Sequence, residues 1–354
     1  MAGESCKPLR SAVVGLRMGS GHARTMHRLE EFELVAVCDL NQELADKLAG
    51  ELSGAKPYTN YEEMLAVEKP DVVAVATPTD SHARLTIVAA EAGARGIISE
   101  KPMATSLGDG KAMVAACAQH GARLIVGHQR RMGPDLLEMR RLMDSGAIGD
   151  VYLVRVSCQG DLLSDGTHLI DSLRWLAGDQ PIKWVVGQAF RDPPDPSEKR
   201  GMGDDAMGGY RYGHMIETGA IAVLEFQSGL RGEMLSGRAR IPGRQYQDYE
   251  VFGTKGRLWR LGDRREVPLR IQDEQAGGWR DLTGYQGEGI PDAFTNMYQA
   301  FARTICEGTP HPLSGESALA DLELIMAIFE SARTHSRIDL PLQQDALPLL
   351  LMYE

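Results

Sequence analysis

The sequence contains no long hydrophobic run and no excess of positive charge, and these absences limit what kind of protein it encodes. No stretch approaches the roughly 20 consecutive apolar residues that a membrane-spanning helix needs. Lys and Arg together number 38 against 49 Asp and Glu, which gives a formal net charge of -11. Because a phosphate backbone repels such a protein, we expect no nucleic-acid partner. The lack of a spanning apolar stretch leads us to expect no membrane.

Cysteine is also scarce. The five cysteines are scattered and lack the spacing typical of metal ligands: Cys6, Cys38, Cys117, Cys158 and Cys306. We therefore expect no metal. The N-terminal segment of ten residues is polar, and no apolar run of signal-peptide length follows it before Gly15. These features together predict a protein of the reducing cytoplasm.

The chain is long enough for two domains, and its first part alternates short apolar runs with helical patterns. At 354 residues it exceeds one ordinary core. Buried strands are predicted over residues 11–15, 33–39, 71–78, 96–99 and 123–127. Such alternation predicts a doubly wound parallel sheet, and the carboxyl ends of its strands meet at one edge, where ligands bind. The residues predicted at that edge are Gly15, Asp39, Thr77, Lys101 and Gly127.

The first predicted strand is followed by glycines that could approach a phosphate. Gly15, Gly19 and Gly21 are spaced as if one residue and the middle glycine had been lost from the GxGxxG pattern. Glycines there allow a pyrophosphate to reach the N-terminus of the next helix, which we place after His22. A plain tight turn is the alternative interpretation.

Asp39 ends the second predicted strand, about two dozen residues after Gly15. An acid at this position hydrogen-bonds the ribose hydroxyls of the adenosine and repels a 2'-phosphate. Asp39 therefore favours NAD over NADP. The alternative is that Asp39 is a helix cap.

Lys101 follows the fourth predicted strand in the run Ile97-Ile98-Ser99-Glu100-Lys101-Pro102. The proline ends the strand, so the lysine projects from the edge where ligands bind. Taken alone, a lysine after a strand is more often an exposed loop charge. The other chemically suited residues at the same edge favour a functional role.

From Gly149 the hydrophobic pattern alternates with a period of two, which predicts an antiparallel meander. The predicted strands cover residues 150–156, 183–189, 212–216, 220–227, 231–237, 249–252, 256–261 and 267–271. A sheet with helices on one face needs cover on the other, so we expect a homodimer or homotetramer.

A helix is predicted between the first two of these strands. His168 and Asp171 are three residues apart and share one face beside an apolar stripe. The alternative is a helix start at which Asp165 is the cap and His168 is solvated.

Together these residues resemble the glucose-fructose oxidoreductase / inositol dehydrogenase / MocA (Gfo/Idh/MocA) family of nicotinamide-dependent oxidoreductases. The resemblance rests on residues 15–22, Asp39, Thr77-Pro78 with His82, Glu100-Lys101-Pro102, residues 130–134, residues 166–171 and the helix over 317–334. It implies an N-terminal Rossmann domain over residues 1–128. It also implies a C-terminal α+β domain over 129–354 with an open, mostly antiparallel sheet, for substrate binding and oligomerisation.

The resemblance also implies a site. Lys101 would lie beside the nicotinamide and the reacting hydroxyl, while His168 and Asp171 would line the substrate pocket. The implied NAD-binding residues are Gly15, Arg17, Met18, Gly19, Asp39, Thr77, Pro78, His82, Glu100 and Lys101.

The sequence departs from the family at one position. Members that oxidise polyols usually carry an aspartate four residues before the histidine, whereas this chain has Ser164 there and Asp165 next to it. Either Asp165 replaces that aspartate as a catalytic residue, or Lys101 and His168 alone move the proton.

The function implied is NAD-dependent hydride transfer from a secondary hydroxyl of a sugar, cyclitol or other polyol, with Lys101 as the acid/base. Asp171 would orient His168 or a neighbouring hydroxyl. Two alternatives stay open. In one, bound NAD supports a transient oxidation during glycoside cleavage or epimerisation; in the other, the chain senses NAD or a sugar without catalysis.

Overall fold

The computed structural model describes residues 7–191, 209–240, 246–262, 268–273, 277–285 and 291–353. The chain forms two compact units. One contains the chain up to Gln129 together with Phe294–Leu319, and the other contains Arg130–Ala293 and the chain from Ala320 onward. The return of the chain to the first unit at Phe294 was not expected from the sequence.

The first unit contains a six-stranded parallel sheet. Its strands are β1 (Leu9–Val14), β2 (Phe32–Cys38), β3 (Lys56–Tyr58), β4 (Val72–Val75), β5 (Gly96–Ser99) and β6 (Arg123–Val126). They lie in the order β3-β2-β1-β4-β5-β6. The chain adds β2 and β3 on one side of β1 and then β4, β5 and β6 on the other side, so the strand order reverses between β1 and β4. β4 and β5 are buried along their whole length, as expected for strands covered on both faces. The predicted doubly wound parallel sheet is confirmed.

The helices of the two units are numbered in chain order. They are α1 (Leu16–Arg28), α2 (Gln42–Glu51), α3 (Tyr61–Glu68), α4 (His82–Glu91), α5 (Leu107–His120), α6 (Pro134–Asp144), α7 (Gly166–Leu176), α8 (Ala293–Glu307), α9 (Gly315–Thr334) and α10 (Pro348–Tyr353). Side-chain caps fix the starts of α2, α3 and α5, where Asn41, Asn60 and Ser106 accept backbone N–H groups.

Helix α1 begins directly after Gly15, so the prediction that it begins after His22 was wrong. Gly15 alone makes the turn, with φ of 85°. Leu16, Gly19, Ala23 and Met26 are then buried at helical spacing. Gly19 and Gly21 therefore lie inside the helix and not in a loop.

The second unit contains a nine-stranded sheet in the order β16-β15-β14-β13-β7-β12-β11-β8-β17. All neighbours are antiparallel except β7 and β12. Its strands are β7 (Val151–Cys158), β8 (Ile182–Phe190), β11 (Gly219–Phe226), β12 (Arg231–Gly237), β13 (Gln247–Gly253), β14 (Gly256–Arg260), β15 (Leu269–Asp273), β16 (Arg280–Asp281) and β17 (Ile338–Asp339). The predicted mostly antiparallel sheet is confirmed.

The strand predicted over residues 212–216 is a separate small hairpin of β9 (Tyr210–Arg211) and β10 (His214–Met215). Tyr212 and Gly213 form its turn, and both have positive φ, of 50° and 85°. Two such residues between antiparallel strands make a tight hairpin turn, which a continuous strand cannot contain.

No helix of the described residues is long and apolar enough to cross a membrane. Cys38, Cys117 and Cys158 are buried free thiols, whereas Cys306 is in a disulfide. The cysteines therefore do not support the expected reducing compartment.

Candidate cofactor and catalytic site

A cleft of about 840 Å³ opens at the carboxyl ends of β1, β2 and β4, where the strand order reverses. Open α/β sheets bind ligands at this point. Five of the predicted cofactor residues line the cleft: Gly15, Arg17, Asp39, Thr77 and Pro78. Other lining residues that sequence reasoning missed are Leu40, Asn41, Asn60, Glu62, Ser81 and Arg84.

Gly15 brings the start of α1 to the sheet edge. A Cβ on it would lie 2.6 Å from the carbonyl oxygen of Ala76, so no larger residue fits without movement. Gly15, the residue at the N-cap, has no side chain to cap α1, and the N–H of Leu16 donates to Asp39. The first N–H groups of α1 and the positive end of its dipole therefore favour an anion, as a pyrophosphate requires.

The carboxylate of Asp39 lies against the same helix start. Oδ2 accepts the N–H of Leu16 at 2.8 Å, and Oδ1 accepts the N–H of Asn41 at 2.9 Å. Asn41 caps α2, whereas Asp39 accepts the first N–H of α1, as the alternative of a helix cap predicts. The carboxylate is fixed by two backbone donors at the wall of the cleft.

Three other predicted cofactor residues support the cleft or lie outside its lining. Gly19 faces the sheet, where a Cβ would lie 2.8 Å from a methyl group of Val13. His82 is buried, and its ring nitrogens lie 2.8 Å from the carbonyl oxygens of Thr77 and Pro102. Burial lowers the pKa of His82, although the two carbonyl groups oppose this change. Met18 is 49% exposed and does not line the cleft.

Lys101 follows β5 and is half-buried, directly after a buried carboxylate. Glu100 Oε2 accepts the backbone N–H of Lys101 at 3.0 Å, and Oε1 lies 2.8 Å from Nε2 of His22. Burial alone would raise the pKa of Glu100. The hydrogen bond from His22, together with the charge and the backbone N–H of Lys101, outweighs burial and lowers this pKa to about 2. Glu100 is therefore an anchored carboxylate beside the lysine.

In the second unit, the other predicted catalytic residues lie on or beside α7. His168 and Asp171 are both buried, so the alternative of a solvated His168 was wrong. Arg131 donates to both carboxylate oxygens of Asp171, at 2.9 and 2.5 Å, and also to its carbonyl oxygen. Sequence reasoning quoted Arg131 only as part of a motif and missed this pair.

Asp165 precedes α7, but its side chain does not cap the helix. One carboxylate oxygen accepts from Arg211 Nη1 at 2.6 Å, and the other accepts the hydroxyl of Tyr246. The interpretation of Asp165 as a helix cap was therefore wrong. Ser164, which occupies the position of the family aspartate, lies 3.1 Å through Oγ from His214 Nε2.

Comparisons with known proteins agree with this geometry. The family model described as an oxidoreductase family with an NAD-binding Rossmann fold matches residues 9–128, and the model of its C-terminal alpha/beta domain matches residues 155–340. The chain belongs to the Gfo/Idh/MocA oxidoreductase family. The resemblance seen in the sequence is thus confirmed, and the protein is a nicotinamide-dependent oxidoreductase acting on CH–OH groups.

Relatives within the Gfo/Idh/MocA family match along most of their length. The chain is 25% identical to myo-inositol 2-dehydrogenase of Thermotoga maritima, covering 87% of this chain and 91% of the relative. It is 27% identical to D-apiose dehydrogenase of Paraburkholderia graminis, and the match covers 94% of this chain and 90% of the relative. Among solved structures, the WlbA dehydrogenase of Bordetella pertussis with NADH and UDP-GlcNAcA has a TM-score of 0.73, with 25% identity over 95% of this chain and 99% of that one.

Proposed function

We propose that this protein oxidises a secondary hydroxyl of a sugar, cyclitol or related polyol, with Lys101 as the acid/base. The observation that carries the proposal is the position of Lys101. Lys101 follows β5 of the parallel sheet, and one strand, β4, separates β5 from β1, which precedes Gly15; Glu100 binds the backbone N–H of the lysine. The relatives named as inositol and apiose dehydrogenases support the substrate class.

The chemistry needs a base for the hydroxyl proton. Bound NAD would supply the acceptor for the hydride that leaves the substrate carbon. The amine of Lys101 takes the hydroxyl proton in the same step, so that a carbonyl forms and no charge accumulates on the oxygen. Proton transfer by a positioned side chain contributes about 10²- to 10⁴-fold to the rate.

We assign the remaining predicted residues as follows. His168 hydrogen-bonds the reacting oxygen and relays the proton with Lys101. Asp171 is a positioning residue: Arg131 binds both of its carboxylate oxygens, and this pair fixes the helix that carries His168. Because Arg211 and Tyr246 already bind the carboxylate of Asp165, we favour proton transfer by Lys101 and His168 without Asp165. The region to residue 128 binds the cofactor, and the region from 129 binds the substrate.

We further propose that the cofactor is NAD and not NADP, because the fixed carboxylate of Asp39 would repel a 2'-phosphate. Gly15, Arg17, Thr77 and Pro78 would bind the dinucleotide along the same cleft.

A homodimer or homotetramer is supported by one face of the nine-stranded sheet. Val186 and Val223 are directly opposite each other on β8 and β11, and both are more than 40% exposed. Ile221, two residues before Val223, is 44% exposed. Light scattering of wild type and Val223→Lys would test this: a smaller assembly in the variant is expected, and a monomeric wild type would contradict it.

The deciding experiment follows nicotinamide absorbance during incubation with cyclitols, aldoses, glycosides and sugar acids, with NAD and NADP in parallel. We expect one substrate group to reduce NAD, and Lys101→Met to lose about 10²- to 10⁴-fold in kcat while still binding NAD. Lys47→Met, an exposed lysine on α2, is the matched control. Near-normal turnover by Lys101→Met would refute the lysine assignment. Bound cofactor without net reduction would refute the dehydrogenase in favour of transient oxidation or sensing.

A further inference from the structure

A buried chain of three polar side chains leads to Lys101 from the far end of the sequence. Tyr298 on α8 lies 2.5 Å through its hydroxyl from Nδ1 of His22 on α1. Nε2 of His22 lies 2.8 Å from Glu100 Oε1, and Glu100 Oε2 accepts the N–H of Lys101. Tyr298, His22 and Glu100 are 0%, 2% and 8% exposed.

The partners fix the direction of each hydrogen bond. We assign this O–H as the donor to Nδ1, because His22 is the partner that the described residues give the Tyr298 hydroxyl and a buried O–H needs an acceptor. Nδ1 then carries no hydrogen, and the ring hydrogen lies on Nε2. Nε2–H donates to Glu100, whose ionised carboxylate only accepts. Tyr298 therefore selects the tautomer of His22 that can hold Glu100.

The carboxylate of Glu100 is confined as well as bonded. A Cβ on Gly127 would lie 3.2 Å from Glu100 Oε1, so the residue after β6 packs closely against it. Aromatic rings confine the histidine in the same way. Phe294 meets the His22 ring edge-on at 5.3 Å, and Phe32 meets Tyr298 edge-on at 5.6 Å. The carboxylate that binds the backbone of Lys101 thus has a single orientation.

We propose that His22 and Tyr298 are positioning residues for Lys101: Tyr298 fixes the tautomer of His22, His22 fixes Glu100, and Glu100 fixes the backbone from which the lysine extends. This inference rests on the proposed role of Lys101. It assigns a task in the reaction to the segment Phe294–Leu319, which belongs to the first unit despite its distance in sequence. Catalytic groups displaced by about 1 Å lose about 10²-fold in rate, so such support has a measurable effect.

The kinetic test compares Tyr298→Phe, His22→Leu and His22→Gln with the control Phe294→Leu. Tyr298→Phe removes one oxygen and keeps the ring. Phe294→Leu disturbs the packing of His22 but removes none of the hydrogen bonds that link Tyr298, His22 and Glu100. We expect kcat to fall about tenfold in Tyr298→Phe and about a hundredfold in His22→Leu, with the KM for NAD unchanged. His22→Gln, which restores an N–H donor, should recover part of the loss. Equal losses in Phe294→Leu and Tyr298→Phe would overturn the proposal, because packing alone would then explain both.

A second measurement does not depend on activity. The ¹⁵N chemical shifts of the His22 ring in the full-length protein should show hydrogen on Nε2 and none on Nδ1, and Tyr298→Phe should alter the Nδ1 signal most. Hydrogen on Nδ1 in the wild type would overturn the proposal even if the His22 variants failed to fold.

The two proposals fail in different ways. If Lys101→Met keeps turnover, the role of the lysine is wrong, whatever the His22 variants show. If Lys101→Met loses turnover while Tyr298→Phe and His22→Leu keep the wild-type kcat, only the positioning inference is wrong.

Discussion

Arg131 and Asp171 form a buried ion pair in which the guanidinium holds both carboxylate oxygens. Nε lies 2.9 Å from Oδ2 and Nη2 lies 2.5 Å from Oδ1, and each residue is 1% exposed. Arg131 also contacts Asp179 at 3.1 Å, but that carboxylate is 40% exposed. The pair fixes α7, the helix that carries His168.

Asp171→Asn should therefore destabilise the protein strongly. Removing one partner of a buried ion pair leaves the other charge buried and costs about 3–5 kcal/mol. Asp179→Asn is the matched control, because a partly exposed pair contributes only about 0.2–1 kcal/mol. Urea unfolding of the two variants beside wild type measures the difference. Similar losses of unfolding free energy in both variants would show that the buried pair stabilises the protein no more than the partly exposed pair.

Much of the fold and of the cofactor cleft was predictable because it depends on local patterns. The apolar runs predicted the parallel strands, and the residues that end them, Gly15, Asp39 and Thr77, do line one cleft. Local reasoning placed the start of α1 wrongly, because it treated Gly19 and Gly21 as loop residues although helical burial continues through them.

The missed interactions join residues far apart in the sequence. His22 and Tyr298 are 276 residues apart, and Asp165 and Arg211 are 46 apart. No periodicity relates such positions. The sequence around a tyrosine in an amphipathic helix does not indicate whether its hydroxyl binds a polar side chain elsewhere in the chain. For Asp165, the helix-start pattern even predicted the wrong contact, since Arg211 and Tyr246 bind the carboxylate instead.

The two glycines of the first turn and helix should respond oppositely to alanine. At Gly15, φ is 85° and a Cβ would collide with the backbone of Ala76, so Gly15→Ala should weaken both folding and NAD binding. At Gly21, a Cβ meets nothing within 4 Å, so Gly21→Ala should stabilise the helix by about 0.5–1 kcal/mol. Thermal unfolding and NAD titration check both. A stability loss in Gly21→Ala would contradict the placement of this residue inside α1.

Asp39→Asn should narrow the preference for NAD. The carboxylate loses its charge, so a ribose hydroxyl loses a charge-assisted hydrogen bond and a 2'-phosphate is no longer repelled. We expect the Kd for NAD to rise about tenfold and the Kd for NADP to fall, as measured by titration. Glu62→Gln removes another carboxylate that lines the same cleft, and it should leave the ratio of the Kd for NADP to the Kd for NAD nearly unchanged. An unaltered ratio in Asp39→Asn would refute the role of Asp39.

Glu217 should make the stability of the protein fall as the pH rises towards 8. The residue is 2% exposed, and its Oε1 accepts the N–H of Leu162 at 2.6 Å. Burial, and then the negative charge of Asp161, raise the pKa of Glu217 from 4.5 to about 8. Between these values the unfolded chain releases a proton that the folded protein retains, so each increase in pH favours unfolding.

Glu217→Gln keeps the shape and the acceptor for Leu162 but cannot ionise. We expect it to be more stable than wild type by a few kcal/mol at pH 8 and close to wild type at pH 5, because the shift of this pKa spans that window. Glu225→Gln is the control, since Lys183 lowers the pKa of Glu225 and no gain at pH 8 should follow. Denaturant unfolding at the two pH values gives the comparison. A difference between Glu217→Gln and wild type that is the same at pH 5 and pH 8 would mean that Glu217 does not titrate in this range, because its neighbours offset both its burial and the charge of Asp161.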